Sequence, residues 1–249
     1  MKFGLIGHPI EHSLSPALFK AGYDGIYPYD LIITDDFEEA YSRFLEGYDG
    51  INVTAPFKEL ALRKADIVSE ECRMVGATNL LIKTPEGIAA YNSDFRGLVS
   101  MFTGLKGKVL IVGAGGAGKA AKAAAEAMGY ETVVINRTQY NPEIKPLSAF
   151  REEFSKADIV IYNLPVRIPE IEMMTEDDLC PGHEKIILEA NYRNPSFDNE
   201  LIQRMADANP LIRYIDGREW LLQQAVTGYE LFIGETPDCE AMKAVIKSK

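Results

Sequence analysis

A glycine-rich turn at 113–118 is the first feature of the sequence that points to chemistry. It reads G-x-G-x-x-G, directly after the apolar segment "KVLIV" and ahead of an alanine-rich helical segment. Glycine lets the backbone turn tightly and approach a pyrophosphate, and the helix N-terminus supplies oriented N–H groups. A turn that merely joins strand to helix would also use glycine, but strand, helix and a second strand in this order favour dinucleotide binding. The residues expected to contact the cofactor are Gly113, Ala114, Gly115, Gly116, Ala117 and Gly118.

The end of the following strand, "INRT", predicts which dinucleotide binds. An NAD site would more often place Asp or Glu here to hold the ribose hydroxyls. Arg137 instead offers a guanidinium for a 2′-phosphate, with Asn136 and Thr138 as neutral hydrogen-bond partners. Arg137 could also be a solvated surface charge, and Lys119 could either help a phosphate or lie on the helix surface. The position of Arg137 favours NADP.

A nicotinamide cofactor implies hydride transfer, so the protein must also move the accompanying proton. Lys58 ends the segment "NVTAPFK" just beyond a predicted strand, where ligands of parallel α/β sheets bind. Asp94 ends "YNSD", just before the helix that leads to the second domain. The two side chains could face one hydroxyl. The alternatives are a surface lysine at a helix start and an aspartate that caps the following helix.

Apolar strands alternate with helical patterns, which predicts an α/β fold with two domains. The first series ends in a hairpin over 77–94 and is followed by a glycine-bearing hinge at 104–108. The second series carries the glycine-rich turn, and two C-terminal helices could pack back on the first domain. We expect a substrate-binding domain at 1–97, completed by 228–249, and an NADP-binding Rossmann domain at 98–227.

Charge and composition limit the partners. The 249 residues carry a formal net charge of −11 without a useful Lys/Arg cluster, which argues against a nucleic-acid surface. No stretch approaches the roughly 20 apolar residues that span a bilayer. The N-terminal "MKFGLIGHPI" differs from a signal peptide, because Gly and Pro interrupt its short apolar run. We expect small-molecule partners and no membrane association.

The cysteines and histidines suggest neither a disulfide framework nor a metal site. Three cysteines are widely separated, and three histidines lack a metal-binding spacing. Free thiols fit a reducing cytoplasm. The cysteines are Cys72, Cys180 and Cys239, and the histidines are His8, His12 and His183.

Six short motifs, in this order along the chain, resemble the shikimate dehydrogenase family. They are "GHPIEHSLSP", "NVTAPFK", "GATN", "YNSD", "GAGGAG" and "NRT". The resemblance implies an N-terminal α/β substrate domain, a C-terminal Rossmann domain, and final helices that return to the first domain. It also implies reduction of 3-dehydroshikimate to shikimate with NADP, in a pathway to aromatic amino acids.

The same resemblance implies roles for individual residues. Ser13 and Ser15 would bind the substrate carboxylate, although they could instead cap the helix that begins near Pro16. Lys58 would be the proton acceptor, paired with Asp94. The remaining implied contacts are Thr54, Asn79, Asp94 and Gln224 to the ring hydroxyls, Tyr192 on the carboxylate side, and Gly217 near the nicotinamide.

Some positions depart from the family pattern. Phe19 and Lys20 replace a His-Asn pair, and Glu189 stands where an aspartate is common. The segment "YNLPVRIPE" replaces an Asn-Ala/Thr-Thr-x-x-Gly-Met loop beside the cofactor, so turnover could be modest. A quinate or aminoshikimate dehydrogenase is the nearest alternative, and a non-catalytic NADP-dependent binding protein is the alternative from another class. The sequence leaves open whether the protein is a monomer or a homodimer.

Overall fold

The computed structural model describes residues 1–105 and 107–248, so Lys106 of the expected hinge and Lys249 lie outside the described residues. The chain forms two compact units, one of Met1–Ser100 with Leu221–Lys249 and the other of Met101–Trp220. The observed boundaries fall at 100/101 and 220/221, against the expected 97/98 and 227/228. Both lie inside continuous helices, where helical periodicity gives no sign that the chain changes unit.

The elements follow in chain order. The strands are β1 (Phe3–Gly7), β2 (Tyr29–Ile33), β3 (Gly50–Val53), β4 (Ile67–Val68), β5 (Leu80–Thr84), β6 (Gly87–Tyr91), β7 (Lys108–Val112), β8 (Glu131–Ile135), β9 (Ile144–Lys145), β10 (Ile159–Tyr162), β11 (Lys185–Glu189) and β12 (Ile212–Ile215). The α-helices are α1 (Ser15–Gly22), α2 (Phe37–Gly47), α3 (Lys58–Arg63), α4 (Glu70–Val75), α5 (Ser93–Phe102), α6 (Gly116–Ala127), α7 (Phe150–Lys156), α8 (Pro169–Glu172), α9 (Asn199–Ala208), α10 (Gly217–Ile233) and α11 (Cys239–Lys247). Two 3-10 turns lie at Leu147–Ala149 and Glu176–Leu179.

The first unit is built on a mixed sheet with strand order β2-β1-β3-β5-β6-β4. β1 is parallel to both of its neighbours, and Leu5 lies opposite Leu31 on one side and Asn52 on the other. The predicted hairpin is present as β5 and β6, with β5 antiparallel to both β3 and β6. The sheet therefore contains both parallel and antiparallel pairs. The carboxyl ends of β1 and β3 lie at one edge, where the His8 N–H donates to the Ala55 carbonyl at 3.2 Å.

Apolar side chains pack on both faces of this sheet, because successive residues of a strand point to opposite sides. On one face, Phe3 of β1 stacks on Phe232 of α10, with ring centroids 4.8 Å apart. Phe19 of α1 meets Tyr229 of α10 edge to face, also at 4.8 Å. The opposite face carries a second buried cluster from α2, α3 and α4 that contains Phe44. The last helices thus complete the core of the first unit.

The second unit has a parallel sheet with strand order β12-β11-β10-β7-β8-β9. The chain enters at β7 in the middle, runs to β9 on one side, and then crosses to β10 on the other. This is a doubly wound arrangement whose strand order reverses between β7 and β10, the place where such sheets bind ligands. The predicted α/β class and Rossmann-type unit are confirmed.

One charged side chain is buried in the second unit. Lys185 at the start of β11 is 1% exposed, and its ammonium donates to the Phe154 carbonyl at 2.7 Å and to the Ala157 carbonyl. Both carbonyls lie at the end of α7, where the helix dipole favours a cation. Burial nevertheless lowers the pKa of Lys185 to about 8. Lys185 therefore caps a helix at the cost of desolvating its charge.

The strands that the sequence does not predict are short or partly exposed. β4 and β9 have two residues each, too few for a periodic pattern, and β12 carries half-buried side chains. Within the described ranges, no helix is long and apolar enough to cross a membrane. Among the same residues, no group of three or more His, Cys, Asp or Glu side chains could hold a metal ion.

Candidate active site

Lys58 and Asp94 form an ion pair in the first unit. Lys58 is the first residue of α3, and Asp94 is the second residue of α5. The Lys58 Nζ and Asp94 Oδ2 atoms are 2.5 Å apart, and the side chains are only 20% and 17% exposed. A charge-assisted hydrogen bond in this partly dry setting holds both groups in one geometry. The predicted pairing of these two residues is observed.

The simpler explanations for these two residues do not hold. The side-chain oxygen of Asn92 accepts a hydrogen bond from the Phe95 N–H at 3.0 Å, so Asn92 and not Asp94 caps α5. Lys58 starts a helix, as the alternative required, but most of its side chain is shielded from solvent. Neither charge is placed as an ordinary surface residue.

A buried polar network lies beside Asp94. The Ser93 backbone N–H donates to the Asn79 side-chain oxygen at 2.7 Å, and the Asn79 side-chain nitrogen donates to Ser93 Oγ at 3.0 Å. Ser93 Oγ in turn lies 3.2 Å from Gln224 Oε1, to which it donates. Two predicted site residues, Asn79 and Gln224, are thereby linked through Ser93, which is not among the predicted site residues.

A second branch of the network reaches the N-terminal segment. The Tyr29 hydroxyl donates to Asn52 Oδ1 at 2.8 Å, and the Asn52 side-chain nitrogen donates to the Asn79 carbonyl at 3.3 Å. Tyr29 also bonds the Ser15 side chain, and burial raises the pKa of its hydroxyl well above the usual range. The hydroxyl therefore stays protonated and remains a donor. Ser15, Asn79 and Gln224 belong to one connected set of polar groups.

The two serines do not cap α1. The residue at the N-cap position is Leu14, and no side chain caps the helix. Ser13 Oγ instead accepts the Ser15 N–H at 3.2 Å and lies 3.1 Å from Ser15 Oγ. The hydroxyls face each other across a tight turn, as a pair of donors for one anionic group would need to.

Thr54 lies in the turn after β3, half-buried, at the edge shared with the end of β1. A Cβ at Gly7 would lie 2.4 Å from the Thr54 side-chain methyl, so glycine is what allows this close approach. Thr54 also shapes the turn that leads to Lys58, because its carbonyl accepts the Phe57 N–H at 3.0 Å.

In the second unit, the glycine-rich turn has the geometry of a pyrophosphate cradle. Gly113 has φ of +96°, which favours glycine, and its N–H donates to the Ile135 carbonyl at 2.8 Å. A Cβ at Gly118 would lie 1.9 Å from the Gly113 carbonyl oxygen, whereas a Cβ at Gly115 would meet no atom within 4 Å. Gly115 is the N-cap of α6, whose first residues are Gly116 and Ala117. The space beside Gly115 at the N-terminus of α6 is therefore not filled by other protein atoms of the described residues.

The end of β8 borders this turn. The Asn136 side-chain oxygen accepts the Ala114 N–H at 3.3 Å, and its nitrogen donates to the Thr138 carbonyl at 2.9 Å. Asn136 therefore fixes the turn and the segment that follows β8. Arg137 and Thr138 are exposed at this corner, so their side chains are accessible to a phosphate.

The segment that departs from the family pattern is anchored to its neighbours. Arg167 donates to the Ser196 carbonyl and pairs with Glu172 and Asp198 at 2.7 and 2.5 Å. The Tyr162 hydroxyl donates to the Val166 carbonyl at 2.6 Å, and burial raises the pKa of Tyr162 to about 12. The changed loop is therefore a braced structure.

Asn163, at the start of this loop, has a buried side-chain oxygen that accepts no hydrogen bond from the described residues. Its side-chain nitrogen lies 3.8 Å from the position that a Cβ of Gly118 would occupy, so it borders the glycine-rich turn. An acceptor beside an open helix N-terminus suits a ligand that carries both hydroxyls and phosphates, as a dinucleotide does. The residues present fit NADP.

Two further predicted residues lie near the end of β11. Tyr192 is half-buried in the segment after this strand, with the Arg193 guanidinium 5.8 Å from its ring centroid. Gly217 packs so closely that a Cβ would lie 2.4 Å from the Glu189 carbonyl oxygen. The Glu189 carboxylate is fully buried, where it accepts the Tyr214 hydroxyl at 2.8 Å and the Phe197 N–H at 3.1 Å. Glu189 thus fixes the segment that carries Tyr192.

Sequence reasoning missed the residues that support others. Ser93 stands inside the quoted "YNSD" motif, directly before Asp94, so its signal was a polar group next to a candidate site residue. Tyr29 lies between Pro28 and Asp30 and has no candidate site residue beside it, so the sequence carries no local signal for its role. Nothing in the sequence indicated that Arg167 would tie two loops together, because its partners lie between 5 and 31 residues away.

Comparison with known proteins agrees with this architecture. Residues 5–81 match the family model for the shikimate dehydrogenase substrate binding domain. The shikimate dehydrogenase (NADP(+)) of Caldanaerobacter subterraneus is 30% identical over 265 residues, which cover 94% of this chain and 91% of that protein. The enzyme of the same name from Pyrococcus abyssi is 31% identical over 272 residues, which cover 98% and 96%.

A solved structure gives the same result for the whole chain. The crystal structure of shikimate 5-dehydrogenase from Thermus thermophilus, in complex with NADP(H) and shikimate, matches with a TM-score of 0.81 at 27% identity. The match covers 100% of this chain and 99% of that one. The predicted resemblance is confirmed, and the chain belongs to the shikimate dehydrogenase family.

Proposed function

We propose that this protein catalyses the reversible, NADP-dependent reduction of 3-dehydroshikimate to shikimate. The observation that carries the proposal is the shielded Lys58–Asp94 pair, with Nζ and Oδ2 2.5 Å apart. Lys58 belongs to the segment that matches the shikimate dehydrogenase substrate binding domain. The relatives named shikimate dehydrogenase (NADP(+)), and the bound NADP(H) and shikimate of the Thermus structure, support the same reaction.

The two units take different parts in this proposal. The unit of Met1–Ser100 and Leu221–Lys249 binds the substrate, and the unit of Met101–Trp220 binds NADP. The parallel sheet with its switch point at the glycine-rich turn supports the second assignment, because ligands of doubly wound sheets bind there.

The bound cofactor supplies a hydride to the substrate carbonyl carbon. Lys58 then donates a proton from Nζ to the carbonyl oxygen, and takes it back from the hydroxyl in the oxidation direction. Asp94 holds the Lys58 ammonium through Oδ2 and so orients the proton that moves. A protein that only bound these ligands would have no use for a pair that handles protons.

The other site residues bind and orient the ligands. Ser13 and Ser15 donate to the substrate carboxylate, with Tyr192 on the same side of the molecule. Thr54, Asn79 and Gln224 contact the ring hydroxyls, and the bonds that join Asn79 and Gln224 through Ser93, the residue directly before Asp94, support a single polar site. For the cofactor, the turn from Gly113 to Gly118 holds the pyrophosphate, Asn136, Arg137 and Thr138 hold the 2′-phosphate side, and Gly217 lies near the nicotinamide.

The reaction is tested by absorbance at the reduced-nicotinamide band, with shikimate or quinate each paired with NADP or NAD. Rapid reduction that requires both shikimate and NADP is the expected result. Preference for quinate or an amino analogue would move the substrate assignment within the same enzyme class. No turnover with any pair, despite NADP binding in a calorimetric titration, would favour a non-catalytic binding protein.

The role of Lys58 is tested by two substitutions. Lys58→Ala should lower kcat by roughly two to four orders of magnitude, with a much smaller change in KM, because a general acid–base acts mainly in the transition state. Lys58→Arg keeps a cation beside Asp94, so the fold is preserved, but a guanidinium does not give up its proton at neutral pH and activity should stay low.

Lys64→Ala is the matched control for these variants. Lys64 is the C-cap residue directly after the same helix and pairs with Glu38 at 2.9 Å on the surface, so its loss should leave kcat unchanged. A Lys58→Ala variant that keeps its kcat while KM for shikimate rises steeply would contradict the proton-transfer role.

The remaining expectations stay predictions. We place the enzyme in the cytoplasm, in the route to aromatic amino acids, acting on small molecules without nucleic acid or membrane partners. A monomer or a homodimer is expected, and sedimentation velocity of the purified protein distinguishes the two.

A further inference from the structure

Ser93 is a fully buried polar residue of the candidate site. Its relative exposure is 0%, and it lies directly before Asp94 at the start of α5. It bonds to the side chains of Asn79 and Gln224, which lie far apart in the sequence. A buried hydroxyl that bridges two amides restricts which way each amide can turn.

The Asn79 amide is held in one orientation by two bonds to Ser93. Its oxygen accepts the Ser93 backbone N–H at 2.7 Å, and its nitrogen donates to Ser93 Oγ at 3.0 Å. Reversing the amide would turn its N–H donors toward the Ser93 backbone N–H, which cannot accept a hydrogen bond, so the orientation is fixed. The nitrogen has two hydrogens and uses one of them here, which leaves the second for an oxygen acceptor.

The Gln224 amide takes the matching orientation. A hydroxyl has one hydrogen, and because Ser93 Oγ accepts from Asn79 it directs that hydrogen to Gln224 Oε1 at 3.2 Å. The Gln224 nitrogen donates one hydrogen to the Leu221 carbonyl at 3.1 Å and keeps the other. The network therefore orients both amides so that each retains an N–H donor.

We propose that Ser93 is a positioning residue that makes Asn79 and Gln224 present N–H donors to the oxygen atoms of a polyhydroxylated ring. The inference rests on the proposed function, in which these two amides contact the substrate. It adds that ring oxygens act as acceptors toward both of them. A ring oxygen that accepts here keeps its own hydrogen for another partner.

The test compares Ser93→Ala with Ser93→Thr. Alanine removes the hydroxyl that holds Gln224 Oε1 and leaves the bond from the Gln224 nitrogen to the Leu221 carbonyl, so the amide is held less firmly. KM for shikimate should therefore rise about 10-fold, while KM for NADP stays the same. Threonine keeps the hydroxyl and should return KM for shikimate to within about threefold of the wild-type value. A hydrogen bond that orients a ligand-binding group has an effect of this order.

Thr78→Val provides the control for loss of a buried hydroxyl. Thr78 is also 0% exposed, but its Oγ1 bonds to backbone groups: it lies 2.9 and 2.7 Å from the carbonyls of Leu80 and Tyr91 and accepts the Leu80 N–H at 3.2 Å. Its loss should lower the thermal midpoint and leave KM for shikimate unchanged. The two variants together separate a structural effect from positioning.

Two results would overturn the inference with an active enzyme: Ser93→Ala with an unchanged KM for shikimate, or a rise in KM for both shikimate and NADP that accompanies a lower thermal midpoint. Wild-type protein that does not turn over shikimate would instead overturn the proposed function, and this inference with it.

Discussion

Replacement of Gly118 by alanine tests whether the glycine-rich turn is shaped by packing inside the protein. An alanine Cβ there would lie 1.9 Å from the Gly113 carbonyl oxygen and 2.9 Å from its carbon. Real Cβ contacts are longer than 3.0 Å, so the start of α6 and the end of β7 must separate by about 1 Å. Both neighbours are backbone, which cannot turn aside as a side chain would.

Two effects of different size follow from this separation. Overpacking of this kind costs about 1–3 kcal/mol, so the thermal midpoint of the protein without cofactor should fall. A displacement of about 1 Å in groups that must align with a ligand can cost on the order of 100-fold, so NADP should bind roughly 100-fold more weakly. Thermal unfolding and calorimetric titration with NADP measure the two effects separately.

Gly115→Ala in the same turn is the informative comparison. A Cβ at Gly115 meets no atom within 4 Å and its φ is −74°, so the thermal midpoint without cofactor should be unchanged. NADP affinity should still fall, because an added methyl would meet the approaching pyrophosphate. Gly47→Ala in α2 is the control for a Gly-to-Ala change, because a Cβ at Gly47 also meets no atom within 4 Å. This variant should lower neither the thermal midpoint nor the affinity for NADP.

The reasoning would be refuted by Gly118→Ala protein with an unaltered thermal midpoint and unaltered NADP affinity. Equal losses of stability in the Gly115 and Gly118 variants would also contradict it, since only one of the two positions is crowded by the protein itself.

Other perturbations give separate expectations. Arg137→Ala should weaken NADP far more than NAD, measured by titration with each, and equal losses would remove the 2′-phosphate role. Arg167→Lys should lower the thermal midpoint, because a lysine ammonium cannot make the bonds by which the Arg167 guanidinium reaches Ser196, Glu172 and Asp198. An unchanged midpoint would show that the stability of the braced loop does not depend on Arg167. Lys185 has a pKa lowered from 10.5 to about 8, so the unfolded chain binds more protons between these values and stability rises with pH through that window. Wild type should therefore gain about 2 kcal/mol relative to Lys185→Met between pH 7.5 and 9.5 in urea unfolding, and a constant difference would contradict the lowered pKa.

The sequence predicts the elements with strong local patterns. The glycine-rich turn, the hairpin ending in "YNSD" and the buried strands were readable because each depends on neighbouring residues and on a short period. The sequence also predicts that Lys58 pairs with Asp94, because both are expected to lie beside the substrate. Predicting these features does not require knowing which distant segments of the chain are in contact.

What the sequence does not predict depends on contacts between distant segments. Ser93 links Gln224 and Asn79, which lie 131 and 14 residues from it in the sequence. Only the structure shows that these three residues are in contact. The antiparallel placement of β5 beside β3 and the brace made by Arg167 are of the same kind. Such contacts are set by tertiary packing, and neither local propensity nor hydrophobic periodicity predicts them.

The return of α10 and α11 to the first unit affects the order in which the chain folds on the ribosome. Phe3 and Phe19 emerge early, but their partners Tyr229 and Phe232 follow only after the second unit has been made. The intervening stretch, 101–220, is 120 residues long (220 − 101 + 1), which takes about 6–24 s at roughly 5–20 residues per second. The continuous second unit is therefore the first with all of its sequence available, and the nascent N-terminal segment waits with part of its aromatic core uncovered.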